Sequence, residues 1–334
     1  MKLEQMPRYP LLCGFTPLQR MENLEQALGC GPLYIKRDDL TPLGLGGNKT
    51  RKLEFLLGDA LAGGADTLVT VGGVQTNHGR LTAAAAAKAG LACTLVLDGA
   101  RPEKLSGNLL LDCLLGASLV YTDGRSTSAV IEETLAALQA AGRAPYFIPE
   151  GGSNAVGSAG YLAMVPELLA QADSLPVPPA RLVCTMGSLG TFAGLWLGAR
   201  AFGAPFSVTG VAVNPTTGYT REKAAALVNE MSAAYGLDIA AAPEDMDIIY
   251  ADAAHDYAGP GYNVPDAKTR GAVSCWPARK AFFWTRAIRP SPSGALRYCA
   301  GAGRRSHICT YGRHARSVDA GASGRFCGGL LELN

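Results

Sequence analysis

Six short apolar runs, each ending in a turn built from glycine or proline, constrain this chain more than any other feature. They are DTLVTVGG (66–73), CTLVLDG (93–99), ASLVYTDG (117–124), YFIPEGG (146–152), RLVCTMGS (181–188) and VTGVAVNP (208–215). Near-continuous apolar runs of this length suit strands buried on both faces, as in parallel sheets. Helical spacing fills the gaps: NHGRLTAAAAAKA (77–89), stopping at Gly90, then 127–141, 157–172, 191–202 and 220–235. Alternating strands and helices predict an α/β architecture of open, twisted, mainly parallel sheets with helices on both faces. Ligands of such sheets sit beyond the carboxyl ends of the strands, where the glycine turns fall. There is no internal repeat and no long linker. We expect two domains, a large one from 1–53 and 162–273 and a small one from 54–161, followed by a tail at 274–334.

The remaining bulk features mostly exclude. The 334 residues can bury a substantial core. The N-terminal MKLEQMPRYPLLCGFTPLQRM lacks an apolar h-region, and no run approaches a membrane span. Nine cysteines without CxxC spacing argue against a disulfide framework and a zinc site. The expected compartment is the cytoplasm. Residues 274–334 carry ten of the 30 Lys/Arg but two of the 28 Asp/Glu. That basic tail raises nucleic acid as a partner, but its Gly, Ser, Pro, Cys and Trp content forms no helical stripe, and we expect none.

Chemistry concentrates first in GLGGNKTRKL (44–53). Leu53, Phe55, Leu56, Leu57, Ala60 and Leu61 predict an amphipathic helix, which places Lys49 at or just before its N-terminus. A cation is disfavoured at that end of a helix. A phosphate-binding P-loop needs Gly directly before the Lys, and Asn48 stands there instead. The role that remains is an amine neutral for part of the time, able to form a Schiff base. Burial among glycine loops is expected to lower its pKa and suit it to act as a base.

VGGVQTNHGR (71–80) sets Thr76, Asn77 and His78 on a turn entering a helix. Either its exposed amides bind a carboxylate or phosphate, or Thr76 or Asn77 caps the helix and His78 merely packs. TMGSLGTFAG (185–194) offers backbone N–H groups for a phosphate, without the GxGxxG or following acidic residue of a dinucleotide site. GGSN (151–154) has ordinary turn composition. One lysine, one Asn/Thr turn, one phosphate loop and no metal cluster suit pyridoxal 5'-phosphate.

With RYPL, PLYIKRDDL, GGNKTRKLEFL, GGVQTNHGR, IPEGGSN, GSLGTFAG and YAGPGYNVP, residues 7–273 resemble the 1-aminocyclopropane-1-carboxylate deaminase / D-cysteine desulfhydrase family. The resemblance implies the tryptophan-synthase-β-like fold, PLP fold type II. It implies that Lys49 is the PLP lysine, Lys52 lies near the phosphate and Asn77 bonds the phenolic oxygen. Gly187, Ser188, Leu189, Gly190 and Thr191 would hold the phosphate. Thr76, where the family usually has Ser, and His78 would bind the substrate carboxylate on a shared turn with Asn77, with Gly151 and Gly152 also lining the substrate. Thr76 would assist proton transfer, and Tyr262 would approach the substrate. Arg51 would face solvent or a nearby carboxylate. The implied reaction is α,β-elimination from D-cysteine or a related small sulfur amino acid. Displaced Lys49 takes the Cα proton, the Cβ–S bond breaks with release of sulfide, and the aminoacrylate product is hydrolysed by water to pyruvate and ammonia. The alternatives are a cyclopropane deaminase and an inactive relative. A homodimer is expected if the tail packs.

The family pattern stops after PDAKTRGAV; members continue with an apolar helix, then L-D-P-x-Y-T-x-K, and later an H-T-G-G turn. Here the text is SCWPARKAFFWTRAIRPSPSG, with two of the three Trp. A reading-frame shift near Val273 accounts for this. Read one nucleotide earlier, SCWP with Ser as AGY forces Leu-Leu-Ala. FWT forces Leu-Asp, and TRAIRPS permits Pro-x-Tyr-Thr-x-Lys. TYGRHA, shifted once more, permits His-Thr-Gly-Gly-Thr. The codon after the recovered Tyr cannot encode the Glu of the deaminases, whereas Thr fits, which favours a desulfhydrase. As written, the chain lacks both that Tyr and the ring-nitrogen partner.

Overall fold

The computed structural model describes residues 3–213, 220–250, the single position Ala267 and the strand His307–Thr310. Tyr262, and the tail apart from that strand, lie outside the described residues.

Two sheets organise the chain. In order it runs β1 (Leu18–Arg20), α1 (Glu22–Leu28), β2 (Leu33–Lys36), α2 (Lys49–Ala62), β3 (Thr67–Gly73), α3 (Asn77–Ala89), β4 (Ala92–Asp98), α4 (Gly107–Leu114), β5 (Ser118–Tyr121), α5 (Thr127–Ala140) and β6 (Pro145–Ile148). It continues through α6 (Ala155–Leu162), α7 (Met164–Ala172), β7 (Arg181–Met186), α8 (Gly190–Ala201), β8 (Ser207–Ala212), α9 (Arg221–Tyr235), β9 (Ile248–Ile249) and β10 (His307–Thr310). One sheet is four-stranded and wholly parallel, in the order β5-β4-β3-β6. The other is six-stranded, β1-β2-β10-β7-β8-β9, parallel except for the edge pair β1–β2.

All six expected strands form. Alternation along β3 and β4 explains why both faces of the smaller sheet are covered. Leu68, Leu95 and Leu97 enter one core with Leu81 of α3 and Leu56 of α2. Val69 and Val96 point the other way, onto Val130 of α5. Each such side chain contributes about 1.5–3 kcal/mol of burial free energy. The larger core joins Leu182, Cys184 and Met186 of β7 to Phe192 and Trp196 of α8 and Val228 and Met231 of α9.

Helix ends follow local chemistry. Gly90 closes α3 in the left-handed conformation, as the sequence predicts. The segment 157–172, expected as one helix, is two. Pro166 has no N–H to offer the Leu162 carbonyl, and α6 ends at Leu162.

The element carrying Lys49 is tied down by buried charge. Arg51 is 3 % exposed. Its guanidinium donates to both Asp38 oxygens at 2.9 Å and to Glu167 at 2.8 and 3.0 Å. Tyr161 donates to Asp38 at 2.7 Å, and Lys36 also pairs with Glu167. Two cations face two anions. Burial opposes every charge here, yet Arg51 holds Asp38 below its usual range, and the two carboxylates raise Arg51. Of the two expectations for Arg51, solvent fails and the nearby carboxylate holds.

Candidate functional site

In the four-stranded sheet the order reverses at β3: β4 and β5 continue on one side and β6 lies on the other. The turns after β3 and β6 therefore open onto one crevice. The turn after β7, from the second sheet, meets them at the N-terminus of α2.

Lys49 is the first residue of α2 and is partly buried. Its Nζ donates to Asn48 Oδ1 at 3.1 Å, and Asn48 Nδ2 donates in turn to Thr191 Oγ1 at 3.2 Å. Gly151 adopts φ +67°, and a Cβ there would lie 2.5 Å from Ser188 Oγ and 3.6 Å from Lys49 Cε. Only glycine leaves this passage open between the lysine and the turn after β7.

An anion cradle adjoins it. Lys52 Nζ donates to the Gly151 carbonyl at 3.0 Å and to Ser153 Oγ at 3.2 Å. Ser153 Oγ accepts from the Gly190 N–H at 3.2 Å and donates to Ser188 Oγ at 2.8 Å. A Cβ on Gly190 would strike Ser158 Oγ at 2.7 Å, Lys52 Nζ at 2.8 Å and Ser153 Oγ at 2.9 Å. An ammonium and hydroxyls thus converge at the start of α8, the end of a helix that favours anions.

The electrostatics ask for a negative ligand. Lys52 is fully buried. Burial, then the charge of Lys49, pushes its pKa well below the usual lysine value. Ser158 Oγ is buried with no hydrogen-bond partner among the described residues. So are both ring nitrogens of His78, although the Pro149 carbonyl lies near enough to favour the charged ring slightly. Burial, then Lys49 and Lys52, drives His78 well below its usual pKa, so the ring is neutral. A phosphate among these groups would partner Lys52 and Ser158, and the residues present fit pyridoxal phosphate. Among the described residues no cluster of His, Cys, Asp and Glu could hold a metal ion, and no helix is long and apolar enough to cross a membrane.

The expected residues converge unevenly. Lys49, Lys52, Gly151, Gly152, Ser188, Gly190 and Thr191 meet directly. A Cβ on Gly152 would lie 3.4 Å from His78 Cε1, which brings the turn after β3 to the same place. Thr76 caps α3, its Oγ1 accepting from the Gly79 N–H at 3.3 Å. Asn77 is buried and accepts from Asn108 Nδ2 at 3.1 Å. Gly187 is exposed, and the Leu189 side chain packs into the larger core, so neither presents a side chain to the cradle. Sequence reasoning missed Asn48, Ser153, Ser158, Asn108 and Arg80 as parts of the site. Ser153 stood in the GGSN turn dismissed as ordinary. Ser158 sits in an apolar helix with no signal of its own.

Fold and site together define a class: α/β enzymes that seat an anionic cofactor in a glycine-and-serine cradle beside a lysine able to form a Schiff base. Residues 10–306 match the family described as pyridoxal-phosphate dependent enzymes, past the 273 at which the sequence motifs end, and the chain belongs to that family. It is 39% identical over 278 residues to the D-cysteine desulfhydrase of Yersinia enterocolitica, covering 81% of this chain and 82% of that one. It is 42% identical over 240 residues to a Pyrococcus abyssi protein bearing the name of a 1-aminocyclopropane-1-carboxylate deaminase, 71% and 72% of the two chains. A crystal structure of an ACC deaminase homologue superposes with a TM-score of 0.82 at 31% identity, covering 99% of this chain and 98% of the other.

Proposed function

We propose that this enzyme is a carbon–sulfur lyase that converts D-cysteine, or a similar small sulfur amino acid, to pyruvate, ammonia and sulfide. The observation that carries the reading is the meeting of the Lys49 amine with the Lys52, Ser153, Ser158 and Gly190 cradle. Bound there, pyridoxal phosphate supplies a ring that takes up the negative charge left when the Cα proton departs.

The chain's own residues do the rest. Lys49 Nζ holds the cofactor and, once released, accepts the Cα proton; Asn48 Oδ1 accepts from that amine while Asn48 Nδ2 ties the pair to Thr191. Lys52 with Ser153, Ser158, Ser188 and the backbone of Gly187–Thr191 binds the phosphate. Asn77 meets the phenolic oxygen. Thr76, Asn77 and His78 receive the substrate carboxylate, with Gly151 and Gly152 leaving room for it. The Thr76 hydroxyl proton remains available for transfer because its helix-capping bond is an accepted one. A neutral His78 adds no third positive charge beside Lys49 and Lys52. By the family resemblance, Tyr262 would approach the substrate.

The desulfhydrase relative and the codon that permits Thr but not Glu support sulfur elimination. The Pyrococcus abyssi relative supports cyclopropane deamination as the second reading. We infer a division into 1–53 with 162–273, 54–161 and the tail, a homodimer, and a cytoplasmic location; the lack of disulfide-patterned cysteines supports the last.

The first test is the visible spectrum of the purified chain supplied with pyridoxal phosphate. A yellow band, lost in Lys49→Ala, followed by sulfide release from D-cysteine, is the expected result. A colourless protein identifies an inactive relative; ammonia from the cyclopropane substrate without sulfide from D-cysteine selects the second reading.

A further inference from the structure

Beyond the crevice, a chain of buried polar contacts runs from α4 to Asn77. Arg80 is fully buried on α3, three residues past Asn77. One of its terminal nitrogens donates to the Gly46 carbonyl at 3.0 Å, in the loop that leads to Lys49; the other donates to Asn108 Oδ1 at 3.1 Å. Asn108, 1 % exposed, sits at the start of α4. Its Nδ2 donates to the Gln75 carbonyl at 2.9 Å and to Asn77 Oδ1 at 3.1 Å. The Asn108 N–H donates to Gln75 Oε1 at 3.0 Å, and Gln75 Nε2 donates to the Ser106 carbonyl at 3.0 Å.

The order of donors fixes every amide. A guanidinium only donates, so the Asn108 atom facing Arg80 is its oxygen. The Asn108 atom facing Asn77 is then its nitrogen, and Asn77 must answer with Oδ1. That assignment turns Asn77 Nδ2 to the other side of its amide.

We propose that Asn108, held by Arg80, is a positioning residue that makes Asn77 present its N–H rather than its carbonyl to the phenolic oxygen of the cofactor. The inference rests on the reading above that Asn77 meets that oxygen. A donor there stabilises the oxygen as an anion; a carbonyl in the same place repels it. The relay also makes one cation the common support of the Lys49 loop and the Asn77 amide.

The test is a pH titration of the visible absorbance of the pyridoxal-phosphate-loaded protein, with far-UV circular dichroism and thermal melts as fold controls. Asn108→Asp is isosteric and still pairs with Arg80, yet it only accepts, so Asn77 must turn over. The pKa of the lysine–cofactor chromophore should rise by about one unit or more in Asn77→Ala, the scale of a lost hydrogen bond to a charged oxygen. Asn108→Asp should rise at least as far, Asn108→Ala less. Asn77→Ala combined with Asn108→Asp should not exceed Asn77→Ala alone, because the effect passes through Asn77. If Asn77→Ala shifts the pKa and the folded Asn108 variants do not, the inference is overturned while the Asn77 reading stands. If Asn77→Ala shifts nothing, that reading fails and takes the inference with it. Should Asn108→Asp not fold, Asn108→Ala decides by the same criterion.

Discussion

Lys52 is a buried amine whose nearest acceptors are a carbonyl and a hydroxyl, and burial favours its neutral form. An anion in the cradle reverses that preference by adding the opposite charge, so binding draws a proton from solvent. Inorganic sulfate, which does not titrate near neutrality, is a suitable probe. Calorimetry of the cofactor-free protein in buffers of different ionisation enthalpy should show proton uptake at pH values between the lowered pKa of Lys52 and the ordinary lysine range, fading as the pH is lowered toward values where Lys52 is already charged. Lys52→Met should weaken sulfate binding by about tenfold or more, the scale of a charge-assisted hydrogen bond, and abolish most of the uptake. Uptake unchanged by Lys52→Met would remove this lysine from the cradle. At this scale, legibility depended on backbone. Lys49 and the glycine turns stand out because a cation after Gly-Gly-Asn at a helix start, or a strand ending in glycines, contradicts bland expectations; Lys52 was reached only through the family resemblance. Ser158, Arg80 and Asn108 do not, since a polar residue within a helix reads as exposed until tertiary packing buries it.

Among elements, α2 holds the site together because its N-terminal turn is clamped from below. Arg51 links α2 to Asp38 after β2 and to Glu167 on α7. Removing one partner of such a cluster leaves the others buried and uncompensated, at a cost of about 3–5 kcal/mol. Arg51→Met should therefore unfold at markedly lower denaturant concentration, and stability within about 0.5 kcal/mol of the parent would show the cluster to be replaceable. Six of the ten described strands and most helices were readable from apolar runs and spacing; β1, β2, β9 and β10 were not. The split at Leu162 was not foreseen although Pro166 was in plain view, since apolar spacing continues across it. α4 escaped notice because GNLLLDCL is short and its faces are inverted: Asn108 and Asp112 are buried while Leu110 and Leu114 are exposed.

On the scale of the whole molecule, the tail is the anomaly. The recovered Leu-Asp-Pro-x-Tyr-Thr-x-Lys motif makes a definite claim about the gene. Sequencing its DNA across codons 265–315, together with the mass of the intact protein, should reveal a displaced frame near codon 273; an uninterrupted frame in independent isolates would refute the shift. No reading of the protein sequence as written placed β10, because its immediate surroundings match no family motif. Yet His307–Thr310 pairs in parallel register with both β2 and β7.

That pairing orders events during synthesis. The four-stranded sheet draws on a continuous span from Thr67 to Ile148 and has all its strands once that span leaves the ribosome. The six-stranded sheet places near its centre a strand that emerges some 120 residues after β7. At about 5–20 residues per second, β7 waits on the order of ten seconds with an open edge, and β2, made earlier, waits longer still. Nascent chains of this enzyme thus spend that interval with one sheet assembled and the other parted down the middle, when unpaired strand edges are most exposed to other chains.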